Sequence, residues 1–193
     1  MLIFGLGGLG FNALQIVMAI GSRVLVVEKR QEVLDEAVKF GLPKEDVVQP
    51  GEDVVEFVAK NKITVDVVID FVGVKETFSA SQHLRMWISI LPNMPADLRT
   101  VRPGGRACQV GLLGPELILM NSLAVSKKLT ILCSYGGIYE DVVDCLELIA
   151  QGKLRPQVET GDLKDFPSVL ERLHEGKIKS RIALVPAEYP SLS

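Results

Sequence analysis

Runs of β-branched and aliphatic residues alternate along the chain with stretches whose apolar positions recur at helical spacing. That alternation predicts an α/β fold built on a parallel sheet with helices on both faces. The first run, residues 2–4, precedes a helix over residues 11–20 and a second strand over residues 23–27. Within that strand Val24, Leu25, Val26 and Val27 are all apolar, the signature of a strand buried on both faces. A helix over residues 31–40 stops at Gly41 ahead of Pro43, and a short third strand follows at 46–48. A helix over residues 54–60 leads to a fourth strand at 65–70, which ends in the acidic Asp70. Residues 106–110 and 129–133, closed by Gly111 and Ser134, supply strands five and six. A helix over residues 140–150 with a stop at Gly152, a short strand at 157–160, a helix at 166–175 and a strand at 181–185 complete the pattern.

The glycine-rich stretch Gly5-Leu6-Gly7-Gly8-Leu9-Gly10 lies directly between the first strand and the first helix. In that place Gly5 permits a tight turn, Gly7 lets backbone approach a pyrophosphate, and Gly10 lets helix pack on strand. The helix N-terminus offers unpaired N–H groups to the anion. Glu28 closes the second strand 18 positions beyond Gly10, where a carboxylate can accept hydrogen bonds from both hydroxyls of an adenosine ribose. This pattern favours NAD over NADP. Lys29 and Arg30 pull the other way, since they could grip a 2′-phosphate, although a carboxylate beside that phosphate would repel it.

Composition narrows the partners. The 193-residue chain is 48% hydrophobic and 23% charged, with net charge −3, scattered basic residues and no apolar run long enough to span a bilayer. Neither nucleic acid nor a membrane is expected to bind it. Cys108, Cys133 and Cys145 are widely spaced in apolar stretches, which fits reduced core thiols and a cytoplasmic location rather than a disulfide frame or zinc ligands. His83 and His174, both in helical stretches without cysteine at ligand spacing, read as structural, so no catalytic and no metal-ligating residue is named.

With the loop, the acid and the strand endings in hand, the chain resembles the cofactor domain of zinc-type medium-chain alcohol dehydrogenases. The resemblance is carried by residues 2–15, residues 65–73, Val101-Arg102-Pro103-Gly104-Gly105-Arg106, Val110-Gly111, Ser134-Tyr135-Gly136-Gly137 and residues 176–185. It implies a Rossmann-type doubly wound parallel sheet of order 3-2-1-4-5-6 over residues 1–151. A C-terminal strand-helix-strand extension over residues 152–193 would pack on a separate catalytic domain. It also implies that Gly7, Gly8, Leu9 and Gly10 meet the pyrophosphate, that Glu28 meets the adenosine ribose, and that Val72 and Gly73 run along the cofactor. Val110, Gly111 and Leu112 would offer backbone groups to the nicotinamide carboxamide, Ser134 and Tyr135 would line its far side, and Arg181 would reach the pyrophosphate.

The resembling enzymes hold a catalytic zinc, which polarises an alcohol oxygen, in an N-terminal domain. The expectation is therefore a truncated chain that holds NAD but lacks the zinc and the clamp for a small alcohol or carbonyl substrate. Its central strand, clipped to three residues before Gly5, should pair less extensively and cost stability. Residues 85–100 interrupt the family pattern and read as an insertion, either a lid or partner-binding loop or, preferred, non-coding sequence left in the gene together with a misplaced start. Residues 115–125 would help join two copies in a homodimer, or form local core. The leading reading is the cofactor-binding half of an NAD-dependent oxidoreductase that moves hydride between an alcohol or carbonyl and NAD. The alternatives are a non-catalytic binding or dimerisation module, and a zinc-independent reductase of the same superfamily.

Overall fold

The computed structural model describes residues 1–83 and 104–187, so the expected insertion at 85–100 lies outside the described residues. Strands β1 (Leu2–Phe4), β2 (Leu25–Val27), β3 (Val47–Val48), β4 (Val67–Asp70), β5 (Arg106–Gln109) and β6 (Thr130–Cys133) form one sheet of order β3-β2-β1-β4-β5-β6. Every pairing is parallel. Helices α1 (Gly8–Ala19), α2 (Gln31–Phe40), α3 (Val54–Lys60), α4 (Lys75–His83), α5 (Asn121–Ser126) and α6 (Tyr139–Ala150) follow the strands in turn. This is the doubly wound, Rossmann-type arrangement expected. Strand order reverses between β1 and β4, and a crevice opens at such a switch point beyond the strand ends.

The period-two alternation of the strands sorts side chains to two faces. Ile3, Val26 and Val47 join Phe11, Leu14 and Val17 of α1 and Val33, Leu34 and Ala37 of α2 in one core. Leu2, Phe4, Leu25, Val48 and Val68 join Val54 and Val58 of α3 in the other. β1 is short, yet each of its three residues finds a partner on both sides: Phe4, for instance, stands opposite Val27 and Asp70. Burying an aliphatic side chain fully contributes roughly 1.5–3 kcal/mol, so these two layers carry most of the apolar stabilisation.

Beyond α6 the chain forms β7 (Val158–Asp162), α7 (Phe166–His174) and β8 (Arg181–Val185), a parallel two-stranded sheet with its crossover helix. The extension is fastened to the main sheet by a reciprocal amide clasp. The buried Gln15 of α1 donates through Nε2 to the carbonyl of Arg155 at 3.2 Å and accepts from the Arg155 N–H at 2.8 Å. Leu154, next to Arg155, and Ile178, next to Lys179, are buried, and Lys179 reaches Glu36 of α2 at 3.2 Å.

Several sequence expectations shift. α1 begins at Gly8 rather than residue 11 because Gly7 already serves as its N-cap, β2 begins at Leu25, and β7 runs on to Asp162. α5 had no apolar period to announce it. The core assignment of the cysteines is corrected: Cys133 and Cys145 are exposed and only Cys108 is partly covered, all as free thiols. The reason is position. Cys133 ends the margin strand β6, and Cys145 sits on α6, which has no buried residue.

Candidate functional site

At the carboxyl end of β1 the chain turns through Gly5, whose φ of +82° suits a residue without Cβ, and its N–H donates to the Val27 carbonyl at 2.9 Å. The first helical bond of α1 runs from the Phe11 N–H to the Gly7 carbonyl, which leaves the N–H groups of Gly8, Leu9 and Gly10 without helical acceptors. A Cβ on Gly10 would overlap the Gly5 carbonyl oxygen, so glycine at this position lets helix and turn close on each other. The result is a helix N-terminus with its positive dipole end bare, aimed past the sheet.

Glu28, at the end of β2, is drawn under this turn. Its side chain is 10% exposed, and Oε2 accepts the Leu6 N–H at 2.9 Å. Oε1 accepts the N–H groups of Lys29 at 2.9 Å and Arg30 at 3.1 Å, and the Arg30 guanidinium adds contacts to both oxygens at 3.2 and 3.3 Å. Burial pushes this carboxyl up. The Arg30 guanidinium and the Leu6 and Arg30 backbone donors outweigh it and hold the acid below its ordinary value.

Asp70, at the end of β4, is 1% exposed and organises two loops at once. Its Oδ1 accepts the N–H groups of Val72 and Gly73, each at 2.9 Å, and its Oδ2 accepts the Thr77 hydroxyl at 2.7 Å. Its backbone carbonyl accepts the N–H groups of Val110 and Gly111, each at 2.9 Å, so both donors are already engaged. The β4 and β5 loops cross in contact: a Cβ on Gly73 would overlap the Gly111 carbonyl, and one on Gly111 would overlap the backbone of Val72.

These elements enclose a cavity of about 640 Å³. Of the residues singled out from the sequence, Gly5, Gly7, Gly8, Leu9, Gly10, Glu28, Lys29, Val72 and Arg181 line it. Arg181, delivered by β8, lays its guanidinium on the glycine turn, with Cζ 2.8 Å from where a Cβ of Gly8 would stand. Arg30 is adjacent through Glu28, and Gly73 and Gly111 sit at the loop crossing behind Val72. Leu112, Ser134 and Tyr135 are exposed outside the cavity lining, and Val110 is partly buried there. Sequence reasoning missed Gln49, Pro50, Gly51 and Glu52, which follow β3 and line the cavity, together with Glu76, Thr77 and Leu113. The rule that ligands gather beyond the carboxyl ends of parallel strands would have found the first four.

No protein-family model matches the sequence. An alcohol dehydrogenase of Geobacillus stearothermophilus is 30% identical over 185 residues, which are 94% of this chain and 49% of that protein. The chain is a distant homologue of alcohol dehydrogenases. It spans about half the length of the curated relatives it matches. Among solved structures, acetophenone reductase from Geotrichum candidum in complex with NAD aligns with a TM-score of 0.73 and 30% identity over 95% of this chain and 47% of that one. The alcohol dehydrogenase of Aeropyrum pernix aligns with a TM-score of 0.77 and 28% identity over 96% of this chain and 50% of that one.

Among the described residues no three His, Cys, Asp or Glu side chains gather in a group that could hold a metal ion. Among them, too, no helix is long and apolar enough to cross a membrane.

Proposed function

We propose that this chain is the NAD(H)-binding part of an alcohol dehydrogenase-type oxidoreductase, one that interconverts a small alcohol and its carbonyl. The observation that supports it most is one cavity holding three complementary groups: the unpaired N–H groups of α1, the Arg181 guanidinium and the Glu28 carboxylate. The first two suit a pyrophosphate, and the third suits a ribose diol. When bound, the dinucleotide supplies the hydride acceptor. Gly7, bare on its cavity side, lets the phosphates approach Gly8, Leu9 and Gly10. Val72 and Gly73, held by Asp70, steer the cofactor along the sheet end toward Val110, Gly111 and Leu112 after β5 and Ser134 and Tyr135 after β6.

The extension beginning near residue 152 is read as the face on which a catalytic domain packs, and residues 115–125 as a seam between two copies. The substrate, any zinc and the clamp that aligns the reacting carbon belong to that other domain. Titration of the chain with NADH, followed by nicotinamide fluorescence with circular dichroism as a control for folding, tests the reading. Saturable binding that weakens in Glu28→Ala is expected. A folded chain that does not bind NADH overturns it.

A further inference from the structure

Around Glu28 there are more hydrogen-bond donors than a carboxylate can keep when a ligand arrives. A carboxylate offers about four lone-pair sites. Five donors already converge on it: the N–H groups of Leu6, Lys29 and Arg30, and Nε and Nη2 of Arg30. Three of these are backbone groups fixed by the glycine turn and by the start of α2, and they cannot leave without unmaking the fold. The guanidinium is the movable pair. Its contacts are the longest of the set, at 3.2 and 3.3 Å, and its side chain is 32% exposed against 10% for Glu28.

Resting on the dinucleotide reading above, we propose that Arg30, whose guanidinium holds both carboxylate oxygens of Glu28, swings aside when the nucleotide enters, so that the site accepts NADH and NADPH with little discrimination. A ribose diol must displace the guanidinium from Glu28, which sets a cost on NADH that a strict NAD site lacks. The displaced guanidinium then stands beside the 2′ position. There it can chelate a phosphate with its planar fork and offset the repulsion that Glu28 exerts. Lys29 and Arg181 line the same cavity and add two positive charges, while Glu52 and Glu76 add two negative ones. Glu28 alone would reject a 2′-phosphate; Glu28 paired with Arg30 is close to neutral toward it.

The test is a set of direct binding titrations of NADH and NADPH to the chain, its Arg30→Gln and Arg30→Lys variants, and Glu28→Gln, each checked for folding by circular dichroism. The unsubstituted chain is expected to bind the two nucleotides within about tenfold of each other. Losing a charge-assisted contact, Arg30→Gln should weaken NADPH by about ten- to a hundredfold and leave NADH unchanged or tighter. Arg30→Lys, which keeps the charge without the fork, should fall between. Glu28→Gln should move the preference the other way, toward NADPH. An NADH to NADPH ratio that stays within about twofold on Arg30→Gln overturns the assignment of Arg30 while leaving the cofactor reading intact. Failure of the folded, unsubstituted chain to bind either nucleotide overturns both.

Discussion

The half of the sheet built from β3, β2, β1 and β4 and the half that continues through β5, β6 and α6 follow the same winding rule, yet they close very differently. In the first, apolar side chains from strands and helices meet in two cores, and Leu2, Ile3, Val26 and Leu34 are fully buried. In the second, the apolar face of α6 stands open: Tyr139 is 78% exposed and Leu146 59%. The exposed apolar side chains continue through Leu163, Phe166 and Leu173 of the extension. A helix with a strong apolar stripe and no buried residue is patterned for a neighbour. The contrast teaches that the sequence of this chain encodes more burial than its own described residues supply, and that the surplus is concentrated on one side.

Substitutions that separate the halves sharpen this contrast. Leu25→Ala, in the closed half, is expected to cost about 2–5 kcal/mol in urea unfolding, whereas Leu146→Ala, in the open half, should stay within about 0.5 kcal/mol. Equal losses would break the distinction. Gln15→Leu tests the clasp between the closed half and the C-terminal extension. It leaves the N–H and carbonyl of Arg155 without their partner, an effect of about 1–3 kcal/mol, and should raise amide exchange in the extension before the main sheet. Because Arg181 reaches the glycine turn from that extension, the same variant should also weaken NADH binding.

The smallest expected effect is on acid stability, and it lies in the closed half. The Glu28 carboxyl is held below its ordinary value in the fold, so its contribution is fully present above the unfolded carboxyl value, about 4.3. It is lost as pH falls through the lower, folded value. Unfolding midpoints measured from pH 6 downward should therefore decline less steeply in Glu28→Gln than in the unsubstituted chain. An identical acid limb would mean that the donors around Glu28 do not favour its ionised form.

Much of the closed half is legible in the sequence because local pattern and burial agree there. Val24 to Val27 read as a strand buried on both faces, and Val24, Leu25 and Val26 are so buried; the helices Gln31–Phe40 and Val54–Lys60 have the bounds read from the sequence, the first closed by its Gly41 stop. The glycine turn was legible because its spacing is tied to a backbone shape. The open half misled for the opposite reason: Cys133 and Cys145 lie among apolar residues, but burial there depends on a covering surface that local composition cannot reveal. Gln49 to Glu52 enter the cavity only through strand order, a long-range property. The grip of Arg30 on Glu28 is a matter of side-chain conformation, and adjacency in sequence gives the pair without the contact.

At the crossing of the β4 and β5 loops, Gly73 and Gly111 interlock backbone to backbone under the shared anchor of Asp70. Variation at this end of the sheet is thereby channelled. The template that sets where a ligand's path bends is written in main chain and cannot be tuned one side chain at a time, while Leu112 and Leu113, 75% and 77% exposed just beyond it, are free to change. A lineage built on this scaffold could diversify its preferences at those tips without redrawing the track beneath them.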